Sequence, residues 1–136
     1  MDLIYNDPMR RRSFIFSMPL AALLAQDTEF PLLTPDDLKK LIDSKTKFFF
    51  LDVREPKELE EFGTVDGFLN IPLSQLEKRV TEIPKDVRIV SACQRGVRAK
   101  KAAETLARNG YKQISLCAMM QYKEKGYPLI YPKAEK

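Results

Sequence analysis

Arg88-Ile89-Val90-Ser91-Ala92-Cys93-Gln94-Arg95-Gly96-Val97-Arg98 is the stretch on which the fold turns. Its first five residues read as a buried strand that runs straight into Cys93, and from Val97 to Asn109 the apolar positions fall at helical spacing until Gly110 stops them. The same alternation continues on both sides. Upstream, Phe48-Phe49-Phe50-Leu51-Asp52-Val53 is apolar apart from its acid, the pattern of a strand buried on both faces, and the acidic segment Pro56 to Phe62 has helical character. Phe68 to Ile71 reads as a short strand ended by Pro72, and Ser74-Gln75-Leu76-Glu77 as a capping box opening a helix whose inward residues are Leu76, Val80 and Ile83. Before these, Thr34-Pro35-Asp36-Asp37 supplies an N-cap, a first-turn proline and first-turn acids for a helix to about Ser44. Downstream come a strand over 113–116 and a helix from Ala118 to Lys125 before Gly126. Strands alternating with helices predict an α/β fold around a mainly parallel sheet.

In such sheets ligands bind at the carboxyl ends of the strands, which is where Cys93 falls. A tight loop over Cys93–Arg98 turns successive backbone N–H groups inward as an anion nest, and the helix that follows adds the partial positive charge of its N-terminus. Arg95 and Arg98 contribute full charges, Lys100 and Lys101 extend the positive potential, and Gly96 permits a positive φ where the loop folds over its ligand. All of these favour a thiolate over a thiol, so Cys93 is the candidate nucleophile and Gln94, Arg95, Gly96, Val97 and Arg98 the candidate substrate-binding loop.

Composition narrows the chemistry. The chain has 136 residues, enough for one core, with no His and only two Cys. It therefore cannot build a His/Cys zinc site alone, a Cys-His pair or a Ser-His-Asp triad, and neither a metal nor a cofactor is expected. Twenty-three basic and 19 acidic residues leave a net charge of +4, scattered along the chain rather than gathered in one tract, which argues against nucleic acid as a partner.

The N-terminus has its own composition. Arg10-Arg11-Arg12 precedes an apolar run from Ser13 to Ala25, too short for the ~20 residues of a membrane span. The order is that of a secretory signal, and Arg11-Arg12-Ser13-Phe14-Ile15 resembles the twin-arginine export pattern. The expectation is an export signal over 1–25, a linker over 26–32, one domain over 33–131 and a tail over 132–136, with a periplasmic mature protein. The competing reading is a short N-terminal helix packed on the domain of a cytoplasmic protein.

Over 33–131 the chain resembles the rhodanese family of sulfurtransferases, on four motifs in the family's order. Cys93-Gln94-Arg95-Gly96-Val97-Arg98 is similar to its active loop, and Leu51-Asp52-Val53-Arg54-Glu55-Pro56 to its acid-valine-arginine strand end before an acidic helix. Gly67-Phe68-Leu69-Asn70-Ile71-Pro72-Leu73 looks like its glycine-led run into Asn-Ile-Pro, and Gly126-Tyr127-Pro128-Leu129 like its terminal Gly-Tyr-Pro. Three positions depart: Thr64-Val65-Asp66-Gly67 stands where the family often has His-Ile-Pro-Gly, Cys117-Ala118 replaces paired glycines, and Tyr122 replaces a tryptophan.

The resemblance implies a rhodanese-like α/β fold with a central, mainly parallel five-stranded sheet flanked by helices on both faces. It implies that Cys93 accepts a sulfane sulfur from a small-molecule donor such as thiosulfate and passes it from a persulfide to a thiol or cyanide acceptor. Asp52 and Arg54 become residues that brace the site, with a plain structural ion pair as the alternative. Cys117 follows the last strand as Cys93 follows the one before, so a Cys93–Cys117 disulfide and an inert second thiol both stay open. Two other functions also stay open. Phosphatases and arsenate reductases with a related loop place an arginine at the sixth position after the cysteine, where this chain has Ala99, and a catalytically silent rhodanese-like module usually lacks the cysteine.

Overall fold

The N-cap at Thr34 forms as read in the computed structural model, which describes residues 29–134. Thr34 Oγ1 accepts from the Asp37 N–H at 3.0 Å and the Asp37 carboxylate accepts from the Thr34 N–H at 3.3 Å, opening helix α1 (Pro35–Asp43). Strand β1 (Phe48–Asp52), helix α2 (Pro56–Phe62), strand β2 (Leu69–Asn70) and helix α3 (Leu73–Arg79) follow, the last continued by a 3-10 turn over Val80–Glu82. Then come β3 (Arg88–Cys93), α4 (Val97–Arg108), β4 (Ile114–Ala118) and α5 (Met119–Glu124). The expected export signal over 1–25 lies outside the described residues.

The strands lie in the order β2-β1-β3-β4, every neighbouring pair parallel. A parallel sheet needs cover on both faces, and this one has it. Leu51, Ile89 and Leu116 point to the side on which Leu76 of α3 and Ala102 and Leu106 of α4 are buried. Phe50, Val90 and Cys117 point to the other side, against Leu38 and Leu41 of α1 and Met119 and Tyr122 of α5.

The sheet has four strands among the described residues, not the five expected. Among the described residues only Leu32 pairs beside the outer edge of β4, in a parallel bridge with Leu116. The Leu33 N–H donates to the Leu116 carbonyl and the Leu116 N–H to the Pro31 carbonyl, both at 2.8 Å. Pro31 has no N–H to extend the ladder, and two residues after Leu32 the chain is already committed to capping α1. The end of the segment read as a linker thus meets the β4 edge in a single-residue bridge. A second correction concerns Ser74. Helix α3 starts at Leu73 with Pro72 as its N-cap and no side-chain cap, so Ser74 sits inside the first turn and its capping box does not form. A bond from the Leu73 N–H to the Val53 carbonyl, 3.0 Å, fixes where the chain turns into the helix.

Register decides the relation between the two cysteines. Ala92 pairs with Cys117, and Cys93 with Ala118. Because successive residues of a strand point to opposite faces, Cys93 belongs to the α4 side and Cys117 to the α1 and α5 side. Both are buried free thiols, and the sheet itself stands between them. The disulfide that neighbouring strands left open is therefore not made. Diamide treatment of the folded protein is expected to leave its intact mass without the loss of two hydrogens that a Cys93–Cys117 bond would produce. Detection of that intramolecular bond in the native protein would show the register to be wrong.

Candidate active site

Cys93 ends β3 and its side chain takes part in starting α4. Its Sγ accepts from the Gly96 N–H at 3.0 Å and from the Ala99 N–H at 3.2 Å. Ala99 is the third residue of a 12-residue helix, so its N–H is one of those that no intrahelical carbonyl can reach, and the sulfur satisfies it. Gly96 stands at φ 102° and ψ −16°, the left-handed region, and a Cβ there would meet nothing within 4 Å. Glycine is required by the dihedral angle rather than by crowding, since this turn is what aims two N–H groups back at Sγ. The Ser91 hydroxyl donates to the Ala99 carbonyl at 3.0 Å, tying the same residue to β3 from its other side.

Beneath the loop lies a buried charge pair. Asp52 and Arg54 are both fully enclosed, joined by Arg54 Nη2 to Asp52 Oδ2 at 2.7 Å and Nε to Oδ1 at 2.9 Å. Two buried charges are tolerable only if their remaining hydrogen-bonding capacity is filled. Thr64 Oγ1 donates to Asp52 Oδ2 at 2.7 Å, and Arg54 Nη2 also reaches the Gly63 carbonyl at 2.8 Å. Arg54 Nη1 donates to Gln94 Oε1 at 2.9 Å, which carries the network into the loop. The Gln94 carbonyl in turn accepts from the Met120 N–H at 3.1 Å, so the residue after Cys93 is held from β1 and from α5 at once. Asn70 Nδ2 donates to the Asp52 and Arg54 carbonyls, both at 2.8 Å, and fixes the end of β1.

Above Sγ opens a cavity of about 240 Å³ lined by Glu58, Cys93, Gln94, Arg95, Val97 and Arg98. Arg98 does not face it as a free cation. Its Nη1 and Nη2 donate to the two carboxylate oxygens of Glu58 at 2.8 and 2.9 Å, a fork-to-fork pair across the mouth. The Arg98 guanidinium holds the Glu58 carboxyl below the usual carboxylate range, so the pair is ionised at neutral pH. Arg95 is exposed and makes no ion pair among the described residues. Cys117 is a contrasting thiol: burial pushes it up to about 12, with Asp52 adding to the effect, and it stays protonated at neutral pH.

The loop residues named from sequence thus converge, five around the cavity and Gly96 as their pivot. Asp52 and Arg54 lie one layer below and reach the loop through the Arg54–Gln94 hydrogen bond. Sequence reasoning missed Glu58, Thr64 and the Gly63 carbonyl. Thr64 was signalled only as a departure from a family pattern, and Glu58 only as one acid in an acidic helix. Among the described residues no three His, Cys, Asp or Glu side chains cluster as a metal site, and no helix is long and apolar enough to cross a membrane.

Residues 34–119 match the family of rhodanese-like domains. The chain belongs to the family of rhodanese-like domains. It is 38% identical over 102 residues to the uncharacterized protein YqhL of Bacillus subtilis, covering 75% of this chain and 77% of that protein. The mitochondrial thiosulfate sulfurtransferase RDL2 of Saccharomyces cerevisiae is 27% identical over 131 residues, or 85% of this chain and 88% of its own. The crystal structure of a rhodanese-related protein from Thermoplasma volcanium superposes with a TM-score of 0.67 at 30% identity, over 76% of this chain and 100% of that one. In this rhodanese-like domain the Asp52–Arg54 network is the part whose loss should be felt most by the fold. Arg54→Ala strands an enclosed carboxylate and is expected to cost about 3–5 kcal/mol in urea unfolding. A loss below about 1 kcal/mol would show that water or rearrangement satisfies Asp52 without the arginine.

Proposed function

We propose that the protein is a sulfurtransferase that carries sulfur on Cys93. The observation that supports this most directly is the pair of backbone N–H groups donating to Cys93 Sγ at the floor of an open cavity walled by arginine. Such an arrangement stabilises negative charge on sulfur, both as Cys93 attacks and in the persulfide anion that results. In the first step the Cys93 thiolate attacks the outer sulfur of a donor such as thiosulfate. A sulfur–sulfur bond forms on Cys93, the donor's own sulfur–sulfur bond breaks, and its electron pair leaves with sulfite. In the second, an acceptor thiolate or cyanide attacks the terminal sulfur and Cys93 departs as thiolate, so no outside oxidant or reductant is needed. Arg95 supplies positive potential for an anionic donor, and Arg98 does so only to the extent that it is released from Glu58. Ala99 occupies the position where a phosphatase loop carries arginine, and its N–H is already directed at Sγ, which favours a single sulfur atom over a tetrahedral oxyanion.

Thiosulfate treatment is expected to add the mass of one sulfur to the wild-type chain and to Cys117→Ser, and nothing to Cys93→Ser. Iodoacetamide at pH 6.5 should label Cys93 first and abolish transfer, because burial keeps Cys117 in its thiol form. Retained sulfur transfer in Cys93→Ser, or hydrolysis of phosphate esters that outpaces sulfur transfer, would refute the proposal.

Glu58 and a donor anion compete for one guanidinium. Glu58→Gln keeps a side chain able to bond back to the Glu55 N–H but removes the charge that holds Arg98. For a partly exposed pair worth up to about 1 kcal/mol, the KM for thiosulfate is expected to fall roughly two- to fivefold, more at low ionic strength. A KM that stays constant or rises would mean that Arg98 serves only to fasten α2 to the loop.

A further inference from the structure

Arg95, Gly96 and Val97 line a second hollow as well as bordering the Cys93 loop. It measures about 450 Å³ and is completed by residues of α4, by Leu32 and by Leu116 of the β4 edge. Its floor is apolar. Leu32 is 55% exposed and Val97 66%, and they are two of the four large hydrophobic side chains left exposed among the described residues. Its rim is cationic, with Arg95, Lys100 and Lys101 against the single carboxylate of Glu104. Among the described residues none of these three cations is engaged in an ion pair.

Neither a small dianion nor cyanide has a use for the apolar floor. An apolar seat ringed by positive charge is complementary to a polypeptide segment that presents an apolar side chain between acidic ones. Position supplies the second half of the argument. Arg95 and Val97 line both this hollow and the cavity over Sγ, so a segment seated here is delivered beside the sulfur that Cys93 carries.

We infer that the hollow is the docking site of a protein sulfur acceptor: an acidic, cysteine-bearing segment with an apolar side chain resting on Leu32 and Val97 and its carboxylates against Arg95, Lys100 and Lys101. The inference rests on Cys93 being the sulfur carrier. In the transfer step the segment's thiolate attacks the outer sulfur of the Cys93 persulfide, a new persulfide forms on the segment, and Cys93 leaves as thiolate.

The test uses the full chain preloaded with thiosulfate, in single-turnover transfer to three acceptors: cyanide, and two synthetic peptides with one cysteine and one leucine flanked either by glutamates or by lysines. Each peptide rate is normalised to the same peptide's reaction with a small persulfide in solution. The acidic peptide is expected to be favoured by about tenfold at low salt, with the advantage shrinking as salt is added. Charge reversal with Lys100→Glu and Lys101→Glu together should invert the preference. Leu32→Ser should slow transfer to the acidic peptide severalfold while the cyanide rate stays within about twofold. Equal normalised rates for the two peptides, or a preference that neither variant alters, would overturn the docking site while leaving persulfide formation intact. Failure of the wild-type chain to load sulfur at all would instead overturn the carrier role of Cys93, and the docking site with it.

Discussion

The buried pairing of Asp52 with Arg54 is the constraint on which the C-terminal edge of the sheet depends. A carboxylate and a guanidinium with no exposure are acceptable only when nearly every donor and acceptor is matched, and here the matching groups come from separate parts of the chain. The Gly63 carbonyl and the Thr64 hydroxyl hold the loop after α2, and the Gln94 amide holds the loop after β3. Two loops far apart in sequence are thereby set relative to one strand end. The pair adds little net stability in itself; its importance lies in the cost of breaking it and in the single arrangement that satisfies it.

In the proposed function, fold and chemistry share atoms at Cys93. Its sulfur meets an N–H that the first turn of α4 would otherwise leave unsatisfied, so the geometry that completes the helix start also stabilises anionic sulfur. Gly96 makes this possible with one left-handed residue. The opposite case is Cys117, one residue out of step on the next strand. It has the same side chain and nearly the same height in the sheet, yet an apolar layer surrounds it and holds its proton in place. Which face of the sheet each thiol occupies decides what surrounds its sulfur.

The mouth of the site shows how a fold can moderate its own charge. Counting arginines along the loop suggests a strongly positive cavity, but α2 brings Glu58 across it and commits both terminal nitrogens of Arg98. The unpaired positive charge then shifts toward Arg95, Lys100 and Lys101, which border the apolar hollow rather than the sulfur alone. The two hollows meet at Arg95 and Val97, so the approach to Cys93 is divided between a polar mouth and an apolar, cation-rimmed shoulder.

What the sequence determined by itself was local. Alternating apolar runs and helical periodicities set the α/β class, Thr34 and Asp37 set the first helix start, and the Cys93–Arg98 spacing set the loop from strand to helix, because each depends on contacts within a few residues of chain. Asp52 and Arg54 were legible as a strand-end pair, but Gln94, Thr64 and Gly63 as their partners were not, since those lie 9 to 40 residues from Arg54 or Asp52 in the chain. The number of strands, the opposite facing of Cys93 and Cys117, and the hold of Glu58 on Arg98 were decided only in three dimensions. Each turns on register or on which element lies beside which, and a one-residue slip between β3 and β4 would have placed the two sulfurs on one face.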